Sequence, residues 1–143
     1  MNRINAKIAL VTGASSGIGE ATAQRLAMAG YQVYGTSRRG APAGQRSFAM
    51  LPLDVTNDES VEAAVTEVLR LEGRVDLLVN NAGFAVAPAG AEESSIEQAW
   101  SIFNANFFGM VRCNSGVRGE EGVSGPAGIR PMSGTAYRPC QPA

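Results

Sequence analysis

Short apolar runs alternate along this chain with stretches of helical periodicity. Residues 7–13, KIALVTG, form an apolar run that ends in glycine, and further runs occupy residues 31–36, 48–53 and 75–80. Uninterrupted apolar runs are typical of strands buried on both faces of a parallel sheet. Pro52 cannot donate to a ladder, which places the third strand at an edge or near its own end. The alternation predicts an α/β fold with right-handed crossovers.

Apolar residues at spacings of three and four mark the helices between these runs. Two sequence pairs, Thr56 with Glu59 and Ser94 with Glu97, match capping boxes and predict where the second and third helices start. The last of these helices should carry an apolar stripe. The predicted helical faces are Ile18, Thr22, Leu26 and Ala29 for the first helix, Val61, Ala64, Val65 and Val68 for the second, and Ile96, Trp100, Phe103, Phe107 and Met110 for the third.

The composition changes near Asn114. Residues 114–143 hold six of the seventeen glycines and four of the seven prolines, and their few apolar residues have no period. We therefore expect residues 1–113 to form an incomplete, doubly wound Rossmann-type sheet of about four strands. Residues 114–143 are expected to form an irregular, disordered tail.

Charge and composition exclude several classes of function. Twelve basic and thirteen acidic residues nearly balance, which predicts no nucleic-acid or membrane partner. The absence of histidine excludes His-dependent nucleophiles and His-ligated zinc, and no metal site is predicted. Cys113 and Cys140 have no metal or redox spacing and are interpreted as unrelated thiols. Without a signal-peptide pattern or a long apolar run, a soluble cytoplasmic protein is expected.

The segment TGASSGIG, residues 12–19, joins the first strand to the first helix. Gly13 permits a tight turn, Gly17 gives a phosphate access to the backbone, and Gly19 lets the helix pack closely on the strand. A pyrophosphate at this position would meet backbone N–H groups and the positive end of the helix dipole. A glycine-rich turn without a ligand remains the alternative, because Thr22 stands where the generic fingerprint has its third glycine.

Four motifs occur in one register: TGASSGIG at 12–19, LDV at 53–55, NNAG at 80–83 and NxxG at 106–109. In order and spacing they resemble the short-chain dehydrogenase/reductase family over residues 5–113. The resemblance implies a nicotinamide-dependent oxidoreductase with a small alcohol or carbonyl substrate.

The resemblance also implies roles for individual residues. Asp54 would contact the adenine and Val55 would line its pocket, while Asn106 would hold a proton-relay water as the first member of a catalytic tetrad. Read singly, Asp54 could be only a strand-end residue, and Asn80 and Asn81 only turn residues. The cofactor-binding residues implied with Asp54 and Val55 are Thr12, Gly13, Ser15, Ser16, Gly17, Ile18, Gly19, Asn80, Ala82 and Gly83.

The end of the second strand indicates which nicotinamide cofactor is preferred. An NAD site needs a carboxylate there for the ribose hydroxyls, whereas NADP needs a nearby cation for its 2′-phosphate. The residues present are Thr36, Ser37, Arg38 and Arg39. Two guanidiniums without a carboxylate predict NADP rather than NAD, with Ser37, Arg38 and Arg39 at the phosphate. For Arg39, a solvated loop position is the alternative.

Family members also carry a catalytic serine and a Tyr-x-x-x-Lys pair after the Asn106 helix. Lys7 is the only lysine in this sequence, and Tyr137 is followed by Arg138 and Pro139 rather than by a helical Tyr-x-x-x-Lys. Two interpretations follow: the family's oxidoreductase activity by descent, or a non-catalytic, truncated dinucleotide-binding remnant. Under the second, the reading frame departs from that of the family near Asn114.

The expected strand order has a consequence for association. The resemblance implies that the 31–36 and 48–53 strands lie on one side of the first strand and the 75–80 strand on the other. This order would leave the 75–80 strand as an apolar edge and the aromatic stripe of the last helix uncovered. Family members are often homo-oligomeric, and this chain alone is expected to aggregate.

Overall fold

The computed structural model describes residues 6–40, 46–85 and 95–120, with the side chains of the last two residues left out. In chain order the elements are β1 (Ile8–Val11), α1 (Gly17–Met28), β2 (Gln32–Ser37), β3 (Ala49–Pro52), α2 (Asp58–Glu72), β4 (Leu77–Val79), α3 (Ile96–Phe103), a π-helical turn (Asn104–Phe108) and α4 (Gly109–Glu120). Helices follow β1, β3 and β4 as the sequence predicts, whereas β3 follows β2 with no helix among the described residues between them, and the boundaries differ from the expected ones by a few residues.

The four strands form one parallel sheet in the order β3-β2-β1-β4. Leu10 of β1 is in register with Tyr34 of β2 on one side and with Leu78 of β4 on the other. Among the described strands β3 pairs only with β2, and Pro52 is its last residue, so the strand lies at an edge and Pro52 at its end, the two positions expected from this proline. The fold is therefore the Rossmann-like arrangement that the sequence predicts.

Helices cover both faces of the sheet because successive strand residues point to opposite sides. On one face Leu10 packs with Val65 and Val68 of α2 and with Cys113 of α4. On the other face Val11 packs with Ala23 of α1. All six side chains are fully buried, so the two cores hold the sheet between two helical layers.

Both predicted capping boxes are wrong by one residue. The α2 N-cap is Asn57, whose side chain accepts a hydrogen bond from the Ser60 N–H at 2.8 Å. Thr56, by contrast, directs both its N–H and its hydroxyl to the Asp54 carboxylate, to which both donate. For α3, the capping box joins Ser95 to Gln98 in place of the predicted Ser94 and Glu97, and Ser94 lies outside the described residues.

The last helix differs from expectation in two ways. It is interrupted by the π-helical turn, and it continues to Glu120 instead of becoming irregular after Cys113. The continuation follows from packing on α2: a Cβ added to Gly116 would lie 3.4 Å from side-chain atoms of Val61 and Val65. Val117 packs against the same core. The rest of the predicted tail, residues 121–143, lies outside the described residues.

Candidate cofactor site

The glycine-rich turn after β1 is tightly packed. Gly13 has a φ of 68°, in the left-handed region that favours glycine, and a Cβ there would lie 2.9 Å from Ala82 Cα. A Cβ on Gly19 would lie 2.1 Å from the Gly13 carbonyl oxygen. Gly17, at a φ of 58°, has no neighbouring atom within 4 Å of that position. The turn is thus closed against the protein at two glycines and open at the third.

The N-terminus of α1 starts at this open side. Its N-cap residue, Ser16, makes no side-chain capping hydrogen bond. The first N–H groups of a helix have no partners within the helix, and they attract anions together with the helix dipole. The one acidic residue of the first turn, Glu20, is paired with Arg46. The geometry therefore suits an anion such as a pyrophosphate.

Thr12 and Asn81 join the ends of β1 and β4. The Asn81 side-chain amide donates to the carbonyl oxygens of Thr12 and Gly13, at 3.1 and 3.0 Å. The buried Thr12 hydroxyl accepts from the backbone N–H groups of Asn81 and Ala82, both at 3.0 Å, and donates to the Val79 carbonyl. Thr12 therefore supports the turn from behind rather than facing the cleft.

A cleft of about 650 Å³ runs along the carboxyl ends of the strands, in front of this turn. Parallel α/β sheets bind ligands at this end. The lining brings together most of the residues predicted from sequence, and adds others. It comprises Gly13, Ser15, Ser16, Ile18, Gly19, Ser37, Arg38, Leu53, Asp54, Val55, Thr56, Asn81, Ala82, Gly83, Phe84, Ser101 and Ala105.

Asp54 is the carboxylate of the cleft. Hydrogen bonds from the Thr56 hydroxyl at 2.7 Å and the Thr56 N–H at 2.9 Å hold the pKa of Asp54 below its usual value. The positive charges of Arg38 and Arg112 lower this pKa further, while partial burial opposes the shift. The side chain is therefore ionised at neutral pH and fixed in orientation by Thr56.

The two arginines after β2 occupy different environments. Both arginines are exposed, but Arg38 lines the cleft together with Ser37, whereas Arg39 is not part of the lining. The Ser37 hydroxyl donates to the Gly40 carbonyl at 2.6 Å, which orders the turn that carries both arginines. Arg38 is thus the cation that the geometry presents to a bound ligand.

Asn106 lies in the π-helical turn, and its amide holds the backbone of Phe84. The Asn106 Oδ1 atom accepts from the Phe84 N–H at 2.9 Å, and Nδ2 donates to the Phe84 carbonyl at 2.9 Å. The side chain makes both of these backbone contacts while remaining exposed. Its position fixes the wall of the cleft that follows β4.

Other predicted residues lie beside the cleft rather than in it. Asn80 donates to the Asn114 side chain at 3.1 Å, and Gly17 borders the opening without lining it. Ile18, predicted to lie on a periodic helical face, is 80 % exposed at the mouth of the cleft. Asn81 and Phe84 also line the cleft, although neither was predicted from sequence to be a site residue. The signal for Asn81 was its place beside Asn80 in NNAG, where it was interpreted only as a turn residue.

Within the described part of the chain, no group of three or more His, Cys, Asp or Glu side chains is arranged to hold a metal ion. No helix in that part has both the length and the apolar character required to cross a membrane.

Comparison with known proteins agrees with this geometry. The chain is 46 % identical over 106 residues to 3-ketodihydrosphingosine reductase of Bacteroides thetaiotaomicron, covering 73 % of this chain and 38 % of the reductase. Ligand-free aldohexose dehydrogenase of Thermoplasma acidophilum superposes with a TM-score of 0.74 at 30 % identity, over 80 % of this chain and 44 % of that one.

A third similar protein contains a nicotinamide cofactor. It is 3-ketoacyl-(acyl-carrier-protein) reductase of Brucella melitensis complexed with NADH, with a TM-score of 0.70 and 34 % identity over 80 % of this chain and 54 % of the reductase. The chain thus spans roughly half or less of the length of these relatives. The sequence profile described as short chain dehydrogenase matches residues 7–120. With the profile, the parallel sheet and the cleft in agreement, this chain belongs to the short-chain dehydrogenase family.

Proposed function

We propose that these residues form the cofactor-binding half of an NADP(H)-dependent oxidoreductase that acts on an alcohol or a carbonyl compound. One observation carries the proposal. A single cleft joins the open N-terminus of α1, the guanidinium of Arg38 and the carboxylate of Asp54. These groups suit the pyrophosphate, the 2′-phosphate and the adenine of NADP(H), respectively.

The preference for NADP(H) over NAD(H) rests on the end of β2. No carboxylate occurs from Thr36 to Arg39, so a ribose with two hydroxyls would lack the usual acidic acceptor there. Arg38 offers a planar donor that can form two hydrogen bonds to a phosphate. The NADH complex of the Brucella reductase supports binding of a nicotinamide cofactor in this family. The proposed preference of this chain for NADP(H) over NAD(H) rests on Arg38.

The substrate class is supported by the names of the relatives. They are named as a 3-ketodihydrosphingosine reductase, an aldohexose dehydrogenase and a 3-ketoacyl reductase, and these names fit an alcohol or carbonyl substrate. The bound nicotinamide would supply or accept the hydride. The residues of this chain would orient the dinucleotide, with Asn106 shaping the wall through Phe84 and, in the proposed role, holding a relay water.

Proton transfer is the step for which this polypeptide lacks the residue pair that the family resemblance implies. Its 143 residues contain a single lysine, Lys7, and no Tyr-x-x-x-Lys pair. This observation favours a second candidate function for the polypeptide by itself, namely dinucleotide binding without turnover. A positioned general acid or base contributes about 10²–10⁴ in rate, so its loss would suppress turnover even with cofactor bound.

Binding of NADPH and NADH to the full chain, followed by nicotinamide fluorescence, tests the cofactor proposal. We expect NADPH to bind more tightly, and Arg38→Asp to weaken NADPH by about tenfold to a hundredfold, as for the loss of one or two charge-assisted hydrogen bonds. Arg39→Asp is the matched control because it makes the same charge change outside the cleft. Equal binding of both cofactors, unchanged by Arg38→Asp, would refute the proposal for Arg38.

A further inference from the structure

Arg112 of α4 contacts three separate parts of the structure. Its Nη1 atom lies 3.2 Å from the carbonyl oxygen of Val55 and 3.2 Å from that of Asn104. Its Nε atom donates to the carboxylate of Asp58, the first residue of α2. The Arg112 side chain is only 25 % exposed, whereas that of Asp58 is 84 % exposed. The guanidinium therefore sits between α2, the loop before α2 and the π-helical turn.

The contact with Asn104 lies at the irregular point of the helix. In the π-helical turn the Asn104 carbonyl accepts the Gly109 N–H, one residue further along than in an α-helix. The same carbonyl also accepts from Arg112, so both of its lone pairs are used. Helical side chains lean toward the N-terminus, which is why Arg112 reaches back to Asn104.

Gly109 lies directly after this turn and packs on Val55, on the side of the cleft where the adenine of the proposed cofactor would lie. A Cβ on Gly109 would lie 2.8 Å from Cβ of Val55, so the helix backbone packs directly on Val55. Val55 lines one wall of the cleft, the adenine wall. Phe84, whose backbone is bonded to Asn106, lines another, the Asn106–Phe84 wall. Arg112 therefore connects the two walls through Val55 on one side and the turn that carries Asn106 on the other.

We propose that Arg112 is a positioning residue, which holds the π-helical turn on the Val55 loop and thereby fixes the Asn106–Phe84 wall relative to the adenine wall. The proposal rests on the proposed cofactor function only for its consequence in binding. Its structural part concerns the cofactor-free protein. Because the connection spans both walls, it should matter more for a ligand that reaches both than for one that reaches only the adenine side.

Hydrogen exchange of the full chain without cofactor tests the structural part. In Arg112→Met, protection of the Phe84 amide should fall about tenfold, the scale of one hydrogen bond, while the β1 amides keep their protection. Asp58→Asn, which removes the exposed ion pair and leaves both carbonyl contacts, should change Phe84 little. Arg70→Met removes another arginine–carboxylate pair, on α2, and should change nothing at Phe84. Unchanged exchange at Phe84 in Arg112→Met would overturn the proposal.

Arg112→Lys covers the case in which the Met variant unfolds. A lysine keeps the charge beside Asp58 but lacks the planar fork needed to bridge two carbonyls. Phe84 protection should then still fall more than β1 protection. Equal losses at Phe84 and β1 in the Lys variant would mean that Arg112 supports only general stability, and the positioning role would be wrong.

Two ligands test the consequence for binding. NADPH would reach both walls, whereas adenosine 2′,5′-bisphosphate would reach only the adenine side. Arg112→Met should weaken NADPH by a larger factor than the bisphosphate, and equal weakening would contradict the positioning role. If the wild-type chain binds neither ligand, the cofactor proposal fails, and exchange at Phe84 still decides the role of Arg112.

Discussion

Two regions of the molecule differ in whether neighbouring residues cover them. The first is the β1–β4 junction, where the segments that follow these two strands meet, and the second is the apolar surface of α3. At the junction, Thr12 and Asn81 exchange hydrogen bonds between the two strand ends, and Gly13 and Gly19 allow backbone contact. On α3, Trp100 is 64 % exposed and Phe103 59 % exposed, in an apolar surface that also includes Ile96, Phe107 and Phe108. Contacts within the described residues satisfy the polar groups of the junction, whereas the same residues leave the α3 surface exposed.

The two regions differ in whether the described residues alone can complete them. The glycine turn and NNAG are completed by residues close to the cleft, so their geometry can form in this part of the chain alone. The α3 surface has strong apolar character without an internal partner in the described residues, and apolar patches of this kind favour association. Three substitutions, each with a control, and a change of pH test whether the two regions differ in this way.

The largest effect is expected where the junction is tightest. Gly19→Ala places a methyl group within 2.1 Å of the Gly13 carbonyl oxygen, which the backbone cannot accommodate without moving. We expect a loss of about 3 kcal/mol in the free energy of unfolding, measured by urea denaturation. Gly17→Ala is the control: it meets no neighbour and should cost about 1 kcal/mol from its left-handed φ. Similar losses for both variants would show that the junction is not rigid.

The second effect concerns the uncovered surface. Trp100→Lys should weaken self-association of the chain by about tenfold to a hundredfold, because burial of a large aromatic side chain contributes about 1.5–3 kcal/mol. Sedimentation at several concentrations measures the change. Leu71→Lys is the control, since Leu71 is an exposed apolar residue of α2 outside this surface. A wild-type chain that stays monomeric at all concentrations would contradict the expected role of the α3 surface.

The third effect compares the two asparagines of NNAG. Asn81→Ala removes two hydrogen bonds to the Thr12 and Gly13 carbonyls and should cost about 2 kcal/mol of stability. Asn80→Ala removes one exposed hydrogen bond to Asn114 and should cost less than about 0.5 kcal/mol. The same urea measurement checks both variants. A larger loss for Asn80 would place the important contact outside the junction.

The smallest effect is a dependence of stability on alkaline pH. Burial raises the pKa of Cys113 from 9.0 to about 11. The folded chain therefore keeps this proton where the unfolded chain loses it, so stability should be constant up to about pH 9 and fall as the pH rises toward 11. Tyr34, whose pKa burial and the Glu72 carboxylate raise to about 12, contributes with the same sign at higher pH.

Urea midpoints between pH 7 and 11 measure this dependence. Cys113→Ala should be less stable at neutral pH, because it leaves a cavity in the core, and should show a shallower decline above pH 9. Parallel curves for the wild type and the variant would show that Cys113 does not titrate as its burial requires.

Local patterns in the sequence were sufficient for the parallel strands, whereas many of the cleft residues were predicted from the resemblance to a known family. The apolar runs predicted four parallel strands, and Pro52 predicted an edge position for β3 or a proline near its end. The helix starts were wrong because adjacent polar residues satisfy the same capping rule, and Asn57 caps α2 whereas Thr56 is bonded to Asp54. The residue type alone does not contain that information.

The missed site residues make contacts between positions far apart in the sequence. Asn81 bonds to carbonyls of Thr12 and Gly13, which are 69 and 68 positions away. Arg112 reaches Val55 across 57 positions. Such partners depend on strand order and helix packing, which periodicity does not specify. The continuation of α4 past Cys113 likewise depends on Gly116 meeting α2, whereas glycine in isolation indicates a helix end.

Pro52 makes the two edges of the sheet unequal in their ability to pair with a further strand. The Leu53 N–H donates inward to the Ser37 carbonyl, so strand alternation turns the nitrogen of Pro52 outward, where it has no hydrogen to offer. An additional strand is thus disfavoured beside β3, while β4 pairs only with β1 among the described strands. Edge-to-edge joining of two sheets would then use β4 from both and stop at a closed pair. Fibres need two receptive edges on every unit, and the described part of this sheet offers one.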